Sequence, residues 1–311
     1  MNLRIVARML VVLLVVAIST ARAAEPDKLG AILIPGEDWQ VAVHNIGFAD
    51  GLSRDPLTGN IYFSDMRAKA PDKPGIYALS ATLEKKFLFD GKFSGTRPSA
   101  DGKTLYAIGD KQLVSFALPD GPKTVLAEKI GTNDLIVTHD GRIYFTGNGK
   151  MQVSLYEPKT KAVSVADAGS IKNPNGIGLS PDEKTLLVSD YSGINVWTFA
   201  VQEDGKLTDK KPAMTMKAPE KKPDVASGDG MAIDASGNAF VTTAMGLQVF
   251  APSGELLGIV PKPTPAELAA IVPKPKPGSM MSCTFGGKDR DYLYVSCGDT
   301  IFRRKVKPSE R

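Results

Sequence analysis

Four polar residues at the heads of recurring sequence phrases are the best candidates for chemistry in this chain. Asp50 and Asp229 supply carboxylates, and Asn133 and Asn175 supply amide oxygens. Together they form an oxygen-only ligand set, the preference of a hard cation such as Ca2+. Asp-Gly and Asn-Gly pairs also make tight turns, which is their commonest role. Because the polar residue recurs at the same point of several repeats, we favour one shared cation site.

Composition excludes several other kinds of site. The chain has 311 residues but only two His and two Cys, so a zinc site of four thiolates, or of two thiolates and two imidazoles, is nearly excluded. Neither G-x-S-x-G nor H-E-x-x-H occurs, which argues against serine-hydrolase and zincin chemistry. No glycine loop precedes a helix-like segment, so nucleotide binding has no support.

The candidate residues belong to a phrase that occurs six times along the chain. Each copy has a short apolar strand, a turn cluster rich in Gly, Asp, Asn and Ser, and then a β-branched or aromatic strand. The copies are DGLSRDPLTGNIYFSD from Asp50, RPSADGKTLYAIG from Arg97, NDLIVTHDGRIYFTGN from Asn133, NGIGLSPDEKTLLVSD from Asn175, DGMAIDASGNAFVTTA from Asp229 and CTFGGKDRDYLYVSCG from Cys283. Further strands follow most copies, so each repeat suits one small antiparallel sheet.

Six such sheets around an axis make a six-bladed β-propeller, an all-β fold that protects its sheet edges by closing the ring. A β-sandwich is the alternative, but it gives no reason for six near-copies of one phrase. The last repeat supplies only three clear strands, so we predict that residues 29–33 or 40–43 complete the final blade. The innermost strands of a propeller line its central channel, which would bring the polar heads to one axial point.

Three phrases carry a resemblance to a known family. They are N-P-N-G-I from Asn173, G-D-G-M-A-I-D from Gly228, and C-T-F-G-G-K-D from Cys283, which leads to L-Y-V. Together they resemble the senescence marker protein-30/gluconolactonase/regucalcin-like family of six-bladed propellers, over nearly all of the chain after residue 23.

The resemblance implies roles for the polar heads. One divalent cation, Ca2+ first and Mg2+, Mn2+ or Zn2+ as alternatives, would be held by Asp50, Asn175 and Asp229, with Asn133 near a small-molecule substrate. The implied reaction is hydrolysis of a sugar lactone or a related ester, with the cation acting as a Lewis acid. Asp229 would be the general base that acts on water.

Two positions depart from the family pattern. Asp50 stands where the family has Glu, and Ca2+ tolerates such a change in carboxylate geometry. Gly131 stands where the family's sugar lactonases often carry an Arg that holds the substrate, which leaves room for a larger or less polar substrate. Two functions stay open: a metal-dependent lactonase, which we favour, and a non-catalytic propeller that binds a ligand or protein partner and keeps a structural cation.

The first 23 residues are predicted to be a signal peptide, with the propeller over residues 24–311. Arg4 and Arg8 precede ten apolar residues, and Ala21-Arg22-Ala23 forms a cleavage site. The apolar stretch is shorter than the roughly 20 residues that span a bilayer, so no membrane anchor is expected after cleavage. Export to the periplasm or the exterior follows. Cleavage would lower the net charge from +4 to +1, which removes the argument for a nucleic-acid partner.

Two further features concern the last third of the chain. Residues 260–281 are rich in Pro and Lys, which predicts an extended, solvated connection outside the blades. Cys283 and Cys297 lie on neighbouring strands of one hairpin, and two alternatives are open for them. They could form a disulfide in an exported protein, or they could be two small buried residues.

Overall fold

The computed structural model describes residues 28–147, 149–263, 268–270 and 278–308. The predicted signal peptide lies outside these residues. Within them, no helix is both long enough and apolar enough to cross a bilayer. A short 3-10 helix covers Lys28–Ala31, and residues 268–270 are helical. The strands pair in antiparallel sheets.

The described strands form six four-stranded sheets, which we number as blades in chain order. The first strand, β1 (Gln40–Val43), belongs to the last blade. Blade 1 contains β2 (Ala49–Arg54), β3 (Ile61–Asp65), β4 (Gly75–Leu79) and β5 (Lys85–Asp90); blade 2 contains β6 (Gly95–Pro98), β7 (Thr104–Gly109), β8 (Gln112–Ala117) and β9 (Lys123–Glu128); blade 3 contains β10 (Leu135–Val137), β11 (Ile143–Gly147), β12 (Gln152–Glu157) and β13 (Ala162–Ala168). Blade 4 contains β14 (Pro174–Leu179), β15 (Thr185–Asp190), β16 (Asn195–Val201) and β17 (Leu207–Thr215); blade 5 contains β18 (Met231–Ile233), β19 (Ala239–Thr243), β20 (Gly246–Phe250) and β21 (Leu256–Val260); blade 6 contains β22 (Met280–Gly286), β23 (Tyr292–Cys297) and β24 (Thr300–Lys305).

The ring closes because β1 pairs with β24 and becomes the outermost strand of blade 6. Residues 29–33 and 40–43 were the two alternatives for the strand that completes the final blade, and residues 40–43 form it. Residues 29–33 instead begin in the 3-10 helix, and Leu33 makes only an isolated bridge to Val306. The predicted six-bladed β-propeller is confirmed.

Each blade runs outward from the axis, with its second strand the most buried and its outermost strand the most exposed, as in blade 3. The first strands β2, β6, β10, β14, β18 and β22 contact one another around the channel. The β-branched and aromatic second strands, such as β3 and β11, are buried along their whole length. The outer strand β13 is mostly exposed. Aromatic pairs lock blade to blade: Phe89 of blade 1 stacks on Phe116 of blade 2, with ring centroids 4.1 Å apart.

The Pro/Lys-rich connection is shorter than predicted. Val260 is the last residue of β21, and Met280 is the first of β22, so the connecting residues are 261–279. Of these, 264–267 and 271–277 lie outside the described part of the chain. The prediction of a solvated segment is wrong at Leu268, which is buried in the same apolar cluster as Leu29.

Of the two alternatives for the cysteines, the disulfide is not formed. Cys283 and Cys297 are both free and buried. In the β22–β23 pairing, Cys283 lies opposite Val295, whereas Cys297 lies opposite Met280, so the two thiols are not cross-strand partners. Each thiol lies near a separate carbonyl, at 3.4 Å from Phe240 and 3.1 Å from Gly278 respectively. Both therefore act as small buried residues.

Candidate active site in the central channel

The predicted site residues lie where the innermost strands begin, at the end of the channel that we call the upper mouth. Asp50 and Asn175 are the second residues of β2 and β14. Asp229 precedes β18 by two residues, and Asn175 and Asp229 are buried. The Asn175 side chain lies close enough to the Asp229 carboxylate to favour its ionised form. The structure therefore brings Asp50, Asn175 and Asp229 together at the axis, as the repeat pattern predicted.

The carboxylates of this site disfavour each other's ionisation. Burial raises the pKa of Asp50 to about 7; the Gly51 N–H, 2.8 Å from Asp50 Oδ1, partly opposes this shift, and the charge of Asp134 adds to it. Burial also raises the pKa of Asp229, and the charges of Asp50 and Asp134 raise it further. Ionised together at neutral pH, these groups would form a concentrated negative site in a low-dielectric environment.

Asp134 is a site residue that the sequence reasoning missed. It directly precedes β10, and its carboxylate accepts hydrogen bonds from Leu135 N (2.8 Å) and Ile177 N (3.4 Å), the second of which belongs to blade 4. The signal for it is the Asn-Asp pair at the head of this repeat, in which the polar-head pattern points only to Asn133. Asn133 is half-buried beside it, and its substrate contact stays a prediction.

Arg97 is the second residue that the sequence reasoning missed. It lies on β6, and the charge of Asp134 partly offsets the lowering of its pKa by burial. Arg97 also lines a cavity of about 210 Å³ where the innermost strands end, which we call the lower mouth. A charged residue inside an otherwise uncharged innermost strand was the available signal. The positive charge of Arg97 partly compensates the negative charge of Asp134 in the acidic site.

Glycines after the candidate ligands allow the innermost strands to approach each other. A Cβ on Gly176 would lie 2.1 Å from the carbonyl oxygen of Asp229. Gly51 has a φ of +58°, and a Cβ there would lie 2.8 Å from the Cα of Gly95. The Asp-Gly and Asn-Gly pairs at these two places therefore serve close packing around the axis rather than hairpin turns.

Hydroxyl groups on the second strands also position the site. Thr146, the residue before the last in β11, donates a hydrogen bond to the main-chain carbonyl of Asn175 at 2.5 Å. The bond crosses from blade 3 to blade 4. The position of Asn175 thus depends on its neighbouring blade as well as on its own.

The donor set suits a hard divalent cation. Neither Asp50 nor Asp229 has an ion pair with a Lys, Arg or His among the described residues. Buried like charges are costly unless a positive charge compensates them. Across the same residues, no three His, Cys, Asp or Glu side chains meet closely enough to hold an ion, so the amide oxygen of Asn175 would have to take part. The residues fit an oxygen-ligated cation.

Comparison with known proteins finds relatives that are similar in sequence and in fold. A gluconolactonase from Zymomonas mobilis is 29% identical, and the alignment covers 90% of this chain and 84% of that protein. The solved structure of a gluconolactonase from Xanthomonas campestris superposes with a TM-score of 0.72 at 21% identity, covering 90% of this chain and 92% of that one. A calcium-binding protein, regucalcin, from Agrobacterium tumefaciens superposes with a TM-score of 0.69 at 16% identity, covering 88% and 96%. At these identities the two solved structures establish the fold alone.

The family assignment rests on the sequence. Residues 48–298 match the SMP-30/Gluconolactonase/LRE-like region, which spans all six innermost strands and every candidate ligand. The resemblance noted from three phrases is confirmed. This chain belongs to the SMP-30/gluconolactonase/LRE-like family.

Proposed function

We propose that this protein is a divalent-metal-dependent hydrolase that opens a lactone or a related ester. The class of enzyme predicted from the sequence, a lactone-hydrolysing one, is supported by relatives that carry the names gluconolactonase and lactonohydrolase. The observation that carries the proposal is the meeting of Asp50, Asn175 and Asp229 at the channel axis. Ca2+ is the first ion to test, because a calcium-binding protein shares the fold.

Asp50, Asn175 and Asp229 would hold the cation through oxygen atoms. A bound divalent cation supplies Lewis-acid polarisation of the lactone carbonyl and stabilises negative charge on its oxygen. Asp50 and Asn175 have only to hold and orient the cation. Asp50 pairs with Ser64 of β3, and Asn175 directly follows Pro174, which pairs with Asp190 of β15.

Asp229 is the group we assign to proton transfer. It takes a proton from water while the water oxygen forms a bond to the carbonyl carbon. The ring C–O bond then breaks, and the proton goes to the departing oxygen, so a hydroxy acid results. Burial and the neighbouring carboxylates raise the pKa of Asp229, which makes it a stronger base once it is ionised.

We further propose a substrate larger or less polar than gluconolactone. Phe48 lies two residues before Asp50, so in an extended segment both side chains project to the same side of the strand. The Arg67 guanidinium lies 4.8 Å from the centre of the Phe48 ring. Both residues line a cavity of about 610 Å³ beside the upper mouth. Such a cavity can take an apolar or acidic substituent of the lactone.

Export to the periplasm or the exterior is also proposed, on the basis of the predicted signal peptide. Expression of the full chain in a Gram-negative host should give a mature protein whose first residue is Ala24, in the periplasmic fraction or the medium. N-terminal sequencing of a cytosolic, unprocessed product beginning at Met1 would contradict this proposal.

The test of function is the substitution Asp229→Asn, assayed for hydrolysis of a panel of lactones with Ca2+ and with a chelator. The matched control is Asp234→Asn, because Asp234 is equally buried but holds a local turn through Ser236 N and Asn238 N. We expect Asp229→Asn to abolish turnover with folding intact, and the control to keep it. Chelator-resistant hydrolysis would overturn the metal dependence. A cation that raises Tm without hydrolysis of any lactone would favour the non-catalytic alternative.

A further inference from the structure

A buried carboxylate in blade 1 holds the segment that leads to Asp50. Asp65, the last residue of β3, accepts a hydrogen bond from Gly47 N at its Oδ2 (2.9 Å) and from Phe48 N at its Oδ1 (2.9 Å). Its Oδ1 also accepts one from Arg67 N (3.1 Å). The Phe48 carbonyl is fixed as well, by a bond of 3.1 Å from Met66 N.

The same arrangement recurs in blade 4, atom for atom. Asp190, the last residue of β15, accepts from Lys172 N at Oδ2 (3.2 Å) and from Asn173 N at Oδ1 (3.0 Å). Its Oδ1 also accepts from Ser192 N (3.1 Å). The Asn173 carbonyl accepts from Tyr191 N at 2.9 Å. Both carboxylates are buried.

We call this arrangement, a carboxylate at the end of the second strand that accepts from the main chain leading to the first strand, the clamp. Among the described blades, it occurs only in those that carry Asp50 and Asn175 as candidate ligands. In both, the residue held at N–H and carbonyl, Phe48 or Asn173, lies two positions before that ligand. The other four second strands end in residues without a carboxylate: Gly109, Gly147, Thr243 and Cys297.

Blade 5 carries the third candidate ligand and is built differently. Thr243, at the clamp position, donates to the carbonyl of Gly246 at 2.8 Å and so serves its own hairpin. Asp229 is fixed through its main chain, by the bond from Asp229 N to the Thr242 carbonyl at 2.9 Å. Thus carboxylates hold the segments that lead to Asp50 and Asn175, whereas no carboxylate among the described residues holds the main chain of the assigned base in this way.

We infer that Asp65 and Asp190 are positioning residues that hold Asp50 and Asn175 in register for the cation. The inference rests on the proposed function. Hydrogen bonds from main-chain N–H groups to a carboxylate are strong, and their loss would leave buried donors unpaired. Residues that orient metal ligands typically change metal affinity by about 10- to 100-fold when they are replaced.

The experiment is calorimetric titration of Ca2+ into the chelator-stripped wild type, Asp65→Asn and Asp190→Asn. The matched control is Asp55→Asn, because Asp55 is also a buried carboxylate of blade 1. It holds the turn after β2 through Leu57 N (2.9 Å) and the Thr58 hydroxyl (2.7 Å), at the far end of the strand from Asp50. Melting temperature is measured in chelator for every variant.

We expect the Ca2+ Kd of Asp65→Asn and Asp190→Asn to rise about tenfold or more. Lactone hydrolysis by these variants should recover at raised Ca2+, when it is assayed well below the Tm that each variant has in chelator. At that temperature the cation-free variants are already folded, so the recovery does not come from Ca2+ stabilising the fold. Asp55→Asn should lower Tm in chelator and leave the Kd as in the wild type. The two clamps lie in different blades, so if one variant does not fold, the other still decides the outcome.

Two results would overturn the inference, and they differ in what else they overturn. In the first, the wild type binds Ca2+ and hydrolyses lactones, and both clamp variants bind Ca2+ with the same Kd as the wild type. That result would reject the positioning role of Asp65 and Asp190 and leave the proposed function standing. A wild type that neither binds Ca2+ nor any other divalent cation would reject both.

Discussion

The Ser189 hydroxyl donates a hydrogen bond of 2.9 Å to the main-chain carbonyl of Asp229, across the boundary between blades 4 and 5. Ser189 is fully buried and is the residue before the last in β15. The corresponding residue of β3, Ser64, is equally buried but has no hydrogen-bond partner in the described structure. The same repeat position therefore carries a hydrogen-bonded serine in blade 4 and a serine without a hydrogen-bond partner, among the described residues, in blade 1.

Ser189→Ala should impair the site more than it impairs the fold. Loss of one hydrogen bond costs about 1 kcal/mol of unfolding free energy. Because Asp229 loses a contact that fixes its main chain, we expect kcat to fall more than KM changes. Thermal unfolding and steady-state kinetics measure both effects. Ser64→Ala is the control, and it should leave kcat unaltered; an equal fall of kcat in both variants would contradict the prediction.

Asp50→Asn should stabilise the cation-free protein at alkaline pH. The folded-state pKa of Asp50 is raised to about 7, so its contribution to stability is present at low pH and is lost as the pH rises through about 7. The neutral amide does not titrate. We therefore expect Asp50→Asn to have a higher Tm than the wild type at about pH 8 in chelator. Each kcal/mol of added unfolding free energy should raise the Tm by about 2–4 °C.

This gain should shrink towards about pH 5, where the wild-type carboxyl is largely protonated. Asp101→Asn is the control. Asp101 is exposed in a turn, and a hydrogen bond from the Ser99 hydroxyl lowers the pKa of Asp101. A Tm difference for Asp50→Asn that does not vary with pH would contradict the assignment of the titrating group.

Arg97→Met should destabilise the protein, because it removes the guanidinium whose positive charge partly compensates Asp134. Arg97 interacts electrostatically with Asp134, so its loss leaves that carboxylate less compensated, and we expect the free energy of unfolding to fall by about 0.5–3 kcal/mol. The double variant Arg97→Met, Asp134→Asn should recover part of that loss, since the two charges interact. Denaturant unfolding of the two single variants and the double variant closes the cycle. Strict additivity of the two losses would show that the residues are not coupled.

Both cysteines should be unreactive in the folded protein. Burial is the main cause that raises the pKa of Cys283 and Cys297, and the thiolate is the reactive form. We expect a thiol reagent such as Ellman's to label neither residue at about pH 8 until denaturant is added, when both react. The Tm should be the same with and without a reductant. A reductant-dependent Tm would instead indicate a disulfide.

The ring and the four polar heads could be predicted because both follow from a repeat that is visible in the sequence. Polar heads before apolar strands converge in any propeller, and the resemblance to a known family then implied Asp50, Asn175 and Asp229 as the ligands among them. The choice between residues 29–33 and 40–43 for the closing strand was open, since both are short apolar segments. Only the pairing of β1 with β24 decides between them.

Asp134 and Arg97 were missed for a different reason. Their importance depends on neighbours in other blades: Asp134 accepts from Ile177 N in blade 4, and Arg97 lies within the electrostatic reach of Asp134. The clamp aspartates were present as the final letter of the phrases Y-F-S-D and L-V-S-D. Nothing in the spacing shows that their oxygens turn back towards the preceding loop.

The pairing of β1 with β24 has a consequence for how the molecule is made. Every other described strand lies between these two in the sequence, so blade 6 gains its outer strand only after β24 has been synthesised. Contacts of such large sequence separation carry a high loop-closure entropy and slow the folding of β proteins. Blades 1 to 5 can assemble as they emerge, but the channel has a complete wall only when the final blade is in place. We therefore expect Asp50 and Asp229 to reach a common axis late in folding, so the growing chain does not present the proposed cation site before its ring is whole.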